Sequence, residues 1–183
     1  MKPAIGLIEL SSIARGLLAQ DAMIKKAPVE LLMSETTSPG KYLVLVSGDV
    51  ASVQEATQAG IQTAESFLVD SLFIPNVHEQ VVPAIKKHFQ KIKLDSVGVV
   101  ETLSVASAIV AADQALKSAR VSLVEMRLGQ GLGGKGYFVL SGDLGEIEAG
   151  VSSAVKVLEG SNMYLRSEII PRPHEDFSVR VSP

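Results

Sequence analysis

The segment Gly129-Gln130-Gly131-Leu132-Gly133-Gly134-Lys135-Gly136 has the look of a loop that cradles a phosphate. Such a loop needs a helix N-terminus directly behind it to hold the anion. Here the next residues, Tyr137 to Leu140, read as a strand, so nucleotide chemistry is not expected. The corresponding loop earlier in the chain, Glu35-Thr36-Thr37-Ser38-Pro39-Gly40-Lys41, is polar and shorter. Glycine-rich backbone in one copy and hydroxyls in the other suggest amide and hydroxyl groups presented at a shared point. His78 and His174 are each followed by Glu, but adjacent residues do not converge on one metal ion, and neither histidine has a second ligand at i+3 or i+4. Surface or capping histidines are the favoured reading over a metal ligand or general base. His88 stands without a companion. Serines are plentiful, yet there is no Gly-x-Ser-x-Gly elbow, and the absence of cysteine excludes disulfides, thiolate metal sites and cysteine nucleophiles. Nothing assembles a nucleophile, a base and an orienting group, so the chain is expected not to be an enzyme.

What positions these residues is a duplication. Gly6, Glu9, Ser12, Ala14, Ala19, Asp21, Lys25, Ala27, Val29 and Leu31 recur 92 positions later as Gly98, Glu101, Ser104, Ala106, Ala111, Asp113, Lys117, Ala119, Val121 and Leu123. That is 10 identities in 28 aligned pairs, where chance gives about 2, and such self-similarity sets the architecture. The match continues through Ser47-Gly48-Asp49 with Ser141-Gly142-Asp143, and through Ile74-Pro75-Asn76-Val77-His78-Glu79 with Ile170-Pro171-Arg172-Pro173-His174-Glu175. Two domains are expected, residues 1–92 and 93–183.

Each repeat opens on a short apolar run, Ile5 to Glu9 or Val97 to Glu101, that reads as a strand. Ser12 then precedes a helix predicted over Ile13 to Lys26, with the serine as its N-cap. Asp21 and Lys25, like Asp113 and Lys117, lie four apart in the favourable acid-before-base order on one helix face. A solvated face explains one such lysine; recurrence in register points to a shared edge contact. Strand-like runs Val29 to Met33 and Tyr42 to Val46 flank Ser34 to Lys41, a hairpin with a long tip, and Val121 to Val124 with Tyr137 to Leu140 repeat the arrangement. Amphipathic helices follow at Val50 to Phe67 and Leu144 to Leu158, capped by Asp49 and Asp143, the latter with Glu146 at capping-box spacing. The last strands are Leu68 to Ile74 and Tyr164 to Ile170. A short helix over Glu79 to Phe89 and a polar linker, His88 to Asp95, join the halves. The order β-α-β-β-α-β, twice, predicts an α+β protein of two tandem ferredoxin-like (split βαβ) units, each an antiparallel sheet with helices on one face.

A net charge of −3 with scattered Lys and Arg lacks the basic stripe that nucleic acid requires. No run approaches the ~18 apolar residues of a membrane span, and the first residues enter a strand containing Glu9 instead of a secretory signal, so a soluble cytoplasmic protein is expected. A hydrophobic content of 46% with only 4% aromatic residues means much small aliphatic surface, which fits burial by oligomerisation.

The motifs Ala-Ile-Gly-Leu-Ile-Glu at 4–9, Asp-Ala-Met-x-Lys-x-Ala-x-Val at 21–29, Ser-Gly-Asp-Val at 47–50 and Ile-Pro-Arg-Pro-His-Glu at 170–175, each with a degenerate copy in the other half, resemble the shell-forming domain of bacterial microcompartments. The resemblance spans residues 4–175 and is strongest to tandem-domain, unpermuted members of propanediol-utilization compartments. It implies a structural shell protein: a homotrimer shaped as a pseudohexagonal tile, assembling with itself, with other shell proteins and with encapsulated enzymes, in the shell within the cytoplasm. It further implies a central pore lined by Thr37, Ser38, Pro39, Gly40, Gly131, Leu132, Gly133 and Gly134. Lys25 and Lys117 would run along the tile edge, joined by Arg172, His78 and His174, with Asn76 departing from the arginine of the motif. Ser38 stands where the propanediol relatives carry a cysteine whose three copies bind a [4Fe-4S] cluster on the threefold axis. A serine hydroxyl resists deprotonation, so no cofactor is expected here. Other readings are a ferredoxin-like small-molecule-binding regulatory protein and an enzyme using the glycine-rich loop. The edge lysines and the Pro-Arg-Pro-His segment speak against the regulator.

Overall fold

The computed structural model describes residues 3–89, 92–177 and 179. The chain divides into two compact units. The first takes in the chain through Val77 together with Ser104–Ala106 and Gly129–Gly134; the second holds His78–Leu103, Ser107–Leu128 and the chain from Lys135 onward. Each unit therefore contains residues from both sequence repeats. Gln90 and Lys91, inside the predicted linker, lie outside the described residues.

In the first unit, strands β1 (Ala4–Leu10), β2 (Glu30–Thr37), β3 (Lys41–Gly48) and β4 (Leu68–Ile74) form an antiparallel sheet in the order β2-β3-β1-β4. Helix α1 (Ile13–Lys26) links the strands as the sequence predicts, and α2 (Val50–Ala64) stops short of the predicted Phe67, where a single 3-10 turn, Glu65–Phe67, takes over. Ser12 Oγ accepts the Arg15 N–H at 3.3 Å, and Asp49 Oδ1 accepts the Ser52 N–H at 3.0 Å, so both expected caps form. Ala4, Ile8 and Leu10 of β1 pack with Ala19 and Met23 of α1, Tyr42, Val44 and Val46 of β3, and Val53 and Ala56 of α2. Gly6 lets α2 lie close on β1, because a Cβ there would sit 1.9 Å from Thr57 Oγ1. Ile5, Leu7, Leu43 and Leu45 on the opposite face are also fully buried, so the strands read as near-continuous apolar runs.

The second unit begins with the short helix α3 (Val81–Ile85), well inside the predicted Glu79 to Phe89. It continues through β5 (Ser96–Thr102), α4 (Val105–Ser118, from Ser107 onward), β6 (Ser122–Leu128), β7 (Gly136–Gly142), α5 (Leu144–Val157) and β8 (Tyr164–Ile170), with the sheet order β6-β7-β5-β8. The two sheets thus have the split βαβ order expected from the sequence.

Two local expectations change. The first hairpin has no long tip: ladder pairs run out to Thr36↔Tyr42 and Thr37↔Lys41, leaving Ser38-Pro39-Gly40 as the turn. Threonine favours strands, and the polar side chains of Glu35 and Thr36 remain exposed, so polarity there did not end the strand. The capping box at Asp143 also fails, since Asp143 makes no side-chain cap. Glu146 is instead engaged by Arg120 through its N–H at 2.7 Å, Nε at 3.1 Å and Nη2 at 3.0 Å, which holds its carboxyl below the usual range.

Candidate functional site

The Ser38-Pro39-Gly40 turn and the glycine-rich loop come together in the first unit. The turn closes with the Gly40 N–H donating to the Thr37 carbonyl at 2.9 Å, and the glycine loop turns on a Leu132 N–H to Gly129 carbonyl bond of 3.2 Å. A Cβ on Gly129 would meet Thr37 Oγ1 at 2.1 Å, and one on Gly134 would meet the Ser38 carbonyl at 2.8 Å. Both glycines also have positive φ, 75° and 84°, so close approach and backbone conformation each demand glycine. Pro39, Gly40, Gly131 and Gly133 are exposed, Ser38 and Leu132 half-buried, while Thr37 and Gly134 are buried beneath them. The glycine loop runs into strand β7, not a helix, as the argument against phosphate binding required.

Beside this turn lies a pair that sequence reasoning did not single out. Glu9 is fully buried; its Oε1 accepts from Lys41 Nζ at 2.6 Å and its Oε2 from the Val105 N–H at 2.8 Å, capping the first turn of α4. The adjacent Ser104 hydroxyl donates to Asp70. In the second unit Glu101 pairs with Lys135 in the same way, at 2.5 Å, but stays one-third exposed. The clue was present in the sequence, since Glu9 and Lys41 both recur in register as Glu101 and Lys135.

A third cluster, in the second unit, absorbs His78 and Lys117. Asp113 accepts the His78 backbone N–H at 2.7 Å through Oδ1 and the Lys117 ammonium at 2.5 Å through Oδ2. The His78 Nδ1 accepts from the Gln80 N–H at 3.3 Å, and the Gln80 Oε1 accepts the Leu123 N–H at 2.8 Å. His174 builds the same small turn with Asp176, N–H to Nδ1 at 3.2 Å. Lys25 pairs with Asp21 at 2.6 Å on the exposed face of α1. Asn76 and Arg172 are exposed, in the corresponding segments of the two repeats. Among the described residues, no group of three or more His, Cys, Asp or Glu could hold a metal ion, and no helix is long and apolar enough to cross a membrane.

Two sheets with the same strand order, each matching one repeat, are what a duplicated domain requires, and the sequence matches the BMC domain twice, over residues 4–77 and 96–173. The chain belongs to the BMC domain family. It is 45% identical over 175 residues to the bacterial microcompartment shell protein PduT of Citrobacter freundii, covering 96% of this chain and 95% of PduT. A crystal structure of a microcompartment protein from Desulfitobacterium hafniense superposes with a TM-score of 0.85 at 43% identity, over 96% of this chain and 97% of that one. A fused permuted hexameric shell protein from the RMM microcompartment shares the fold, with a TM-score of 0.66 at 18% identity over 85% and 83% of the two chains. The chain is therefore a tandem-BMC microcompartment shell protein, a structural protein rather than an enzyme, and the regulator and nucleotide readings fall away.

One buried group of the second BMC repeat has a pH consequence. Glu125 in β6 is 2% exposed, and its Oε1 has no hydrogen-bond partner among the described residues. Burial raises its carboxyl above the usual value, against smaller lowering effects from the Tyr137 hydroxyl bond and from Arg127. A raised carboxyl favours folding while protonated, so its contribution is complete below the ordinary value of 4.5 and is lost as pH rises through the shifted one. Glu125→Gln removes that loss. The Tm of the variant relative to the parent should rise between pH 4.5 and 8, read by calorimetry; a difference independent of pH would refute the assignment.

Proposed function

We propose that three copies of the chain close into a ring, a pseudohexagonal tile of the shell with a central pore for small polar metabolites. The observation that carries this is an asymmetry between equivalent helices. On α4, Val105 and Ile109 are fully buried and Leu116 is 5% exposed. Their counterparts on α1, Ile13, Leu17 and Ile24, are 41%, 53% and 44% exposed, and Leu18 is 52% exposed. A duplicated helix with one copy covered and the other bare needs a further copy of the chain to cover it. A contact of one repeat with the next is heterologous, and it either closes into a ring or runs on as a filament. Six repeats, hence three chains, give a closed ring whose outline tiles a plane.

The abutting loops support the pore. Threefold closure would set Ser38, Pro39 and Gly40 around the axis, alternating with Gly131, Leu132 and Gly133, and supported from below by Thr37 and Gly134. Hydroxyls and backbone amides are neutral donors and acceptors, suited to small polar solutes. The Ser38 hydroxyl does not fit an iron–sulfur cluster, whose ligands are thiolates, so the tile would carry none. Lys25, Lys117, Asn76, Arg172, His78 and His174 would serve lateral contacts with other tiles, and other shell proteins and encapsulated enzymes would be its partners in the cytoplasm.

Light scattering should give three chains of 19.4 kDa, about 58 kDa; a dilute monomer or dimer would overturn the ring. Lys25→Ala should leave Tm within about 2 °C, because its ion pair with Asp21 is exposed on both sides; the double variant with Lys117→Ala should lose more, because it leaves the buried Asp113 carboxylate without its ammonium partner. The same variant should abolish planar sheets in electron micrographs, since each edge contact is multiplied across a lattice.

A further inference from the structure

The polar contacts that hold second-repeat residues against first-repeat residues inside each compact unit have a second set of matching halves. Asp113, which receives the His78 N–H and the Lys117 ammonium, has its side chain 8% exposed; its twin Asp21 already holds Lys25 but is 55% exposed. The twin of His78 is His174, in the same Nδ1 turn. Gln80, which receives the Leu123 N–H, corresponds to Asp176, and Leu31 corresponds to Leu123 in register, Leu31↔Val46 matching Leu123↔Leu140 before the same bulge. Glu9, which caps α4 at Val105, corresponds to Glu101, and Val105 corresponds to Ile13 at the start of α1. One set of halves, Glu101, His174 and Asp176, lies in β5 and the C-terminal segment; the other, Ile13, Asp21 and Leu31, lies on α1 and the start of β2.

We propose that these halves meet between copies of the chain: Glu101 of one copy caps α1 of the next at Ile13, its His174 N–H donates to Asp21, and its Asp176 carboxylate accepts the Leu31 N–H. This rests on the ring reading and gives the seam its register. The exposed apolar face of α1, with Ile13, Leu17 and Ile24, is then covered as that of α4 is. The occupant is a second copy because each missing half is present in this chain, with the residue type its contact needs. One contact is not repeated. Arg166 lies opposite Glu101 in the sheet where Asp70 lies opposite Glu9, and a guanidinium accepts no hydrogen bond, so the Ser104–Asp70 bond has no interchain twin.

The chain has no cysteine, which makes disulfide trapping clean. In the full chain, Asp21→Cys with His174→Cys should give, on mild oxidation, covalent species ending at three chains on a non-reducing gel. His78→Cys with Asp113→Cys should close the same bond within one chain and calibrates the reach. Independently, Glu101→Ala, which removes the acceptor, should raise the concentration at which the trimer dissociates by at least tenfold, with the circular dichroism spectrum unchanged. A parent protein that scatters as a trimer, with no interchain disulfide while the calibrating pair closes, would overturn the seam and leave the ring standing. A trimer indifferent to Glu101→Ala would do the same. A parent that is not a trimer would remove the ring itself, and a ladder running past three chains would show an open filament.

Discussion

Leu17→Glu should turn the proposed trimer into monomers that keep their fold. Leu17 is 53% exposed within the chain, and glutamate is nearly as good a helix former as leucine, so the monomer's stability should move by no more than about 0.5 kcal/mol. In the proposed ring the same position would be dry. Losing the apolar contact costs about 1 kcal/mol, and burying an unpaired carboxylate adds several more, at each of three seams. Sedimentation at micromolar concentration should therefore show one species near 19.4 kDa, with the Tm of isolated monomers close to that of the parent chain diluted below its association range. The matched substitution Ile109→Glu, at the buried twin, should abolish folding altogether, since that residue is 0% exposed in the chain itself. If Leu17→Glu remains trimeric, α1 faces solvent in the assembly and the ring is built on another surface.

Removing the Glu9 carboxylate should be the most damaging polar substitution. Glu9→Ala leaves the Lys41 ammonium and the Val105 N–H without their acceptor in a fully buried place. Breaking one side of a buried ion pair costs several kcal/mol; because the Lys41 side chain keeps 17% exposure, about 3 kcal/mol is expected, or roughly 8 °C in Tm. Glu9→Gln retains an acceptor for the amide and should lose about half as much. Glu101→Ala, at the one-third-exposed twin, should cost the isolated monomer under about 1 kcal/mol and show its effect on association instead. Equal losses of monomer stability at both positions would mean that the two carboxylates do the same work inside the chain.

The amino-acid sequence by itself determined the element order, because apolar periodicity and caps are local. Helix α1 runs over the predicted Ile13–Lys26, and β4 and β8 over the predicted Leu68–Ile74 and Tyr164–Ile170. Duplication then made the family legible, since motifs repeated in order cannot arise from composition. The glycine loop's partner was legible as well, through the contrast of hydroxyls in one copy with bare backbone in the other. What the sequence hid were properties of contact. Polar Glu35 and Thr36 belong to a strand because cross-strand pairing, which no local pattern encodes, carries the ladder to Thr37. Glu146 abandons its capping role because Arg120, 26 residues away, competes for it. Glu9 and Glu101 are the same residue in the same motif, yet one is buried and caps a helix while the other is partly exposed. Matching motifs give matching elements in matching order; caps, burial and partners depend on which surface each repeat meets, and that is decided only once the chain has folded.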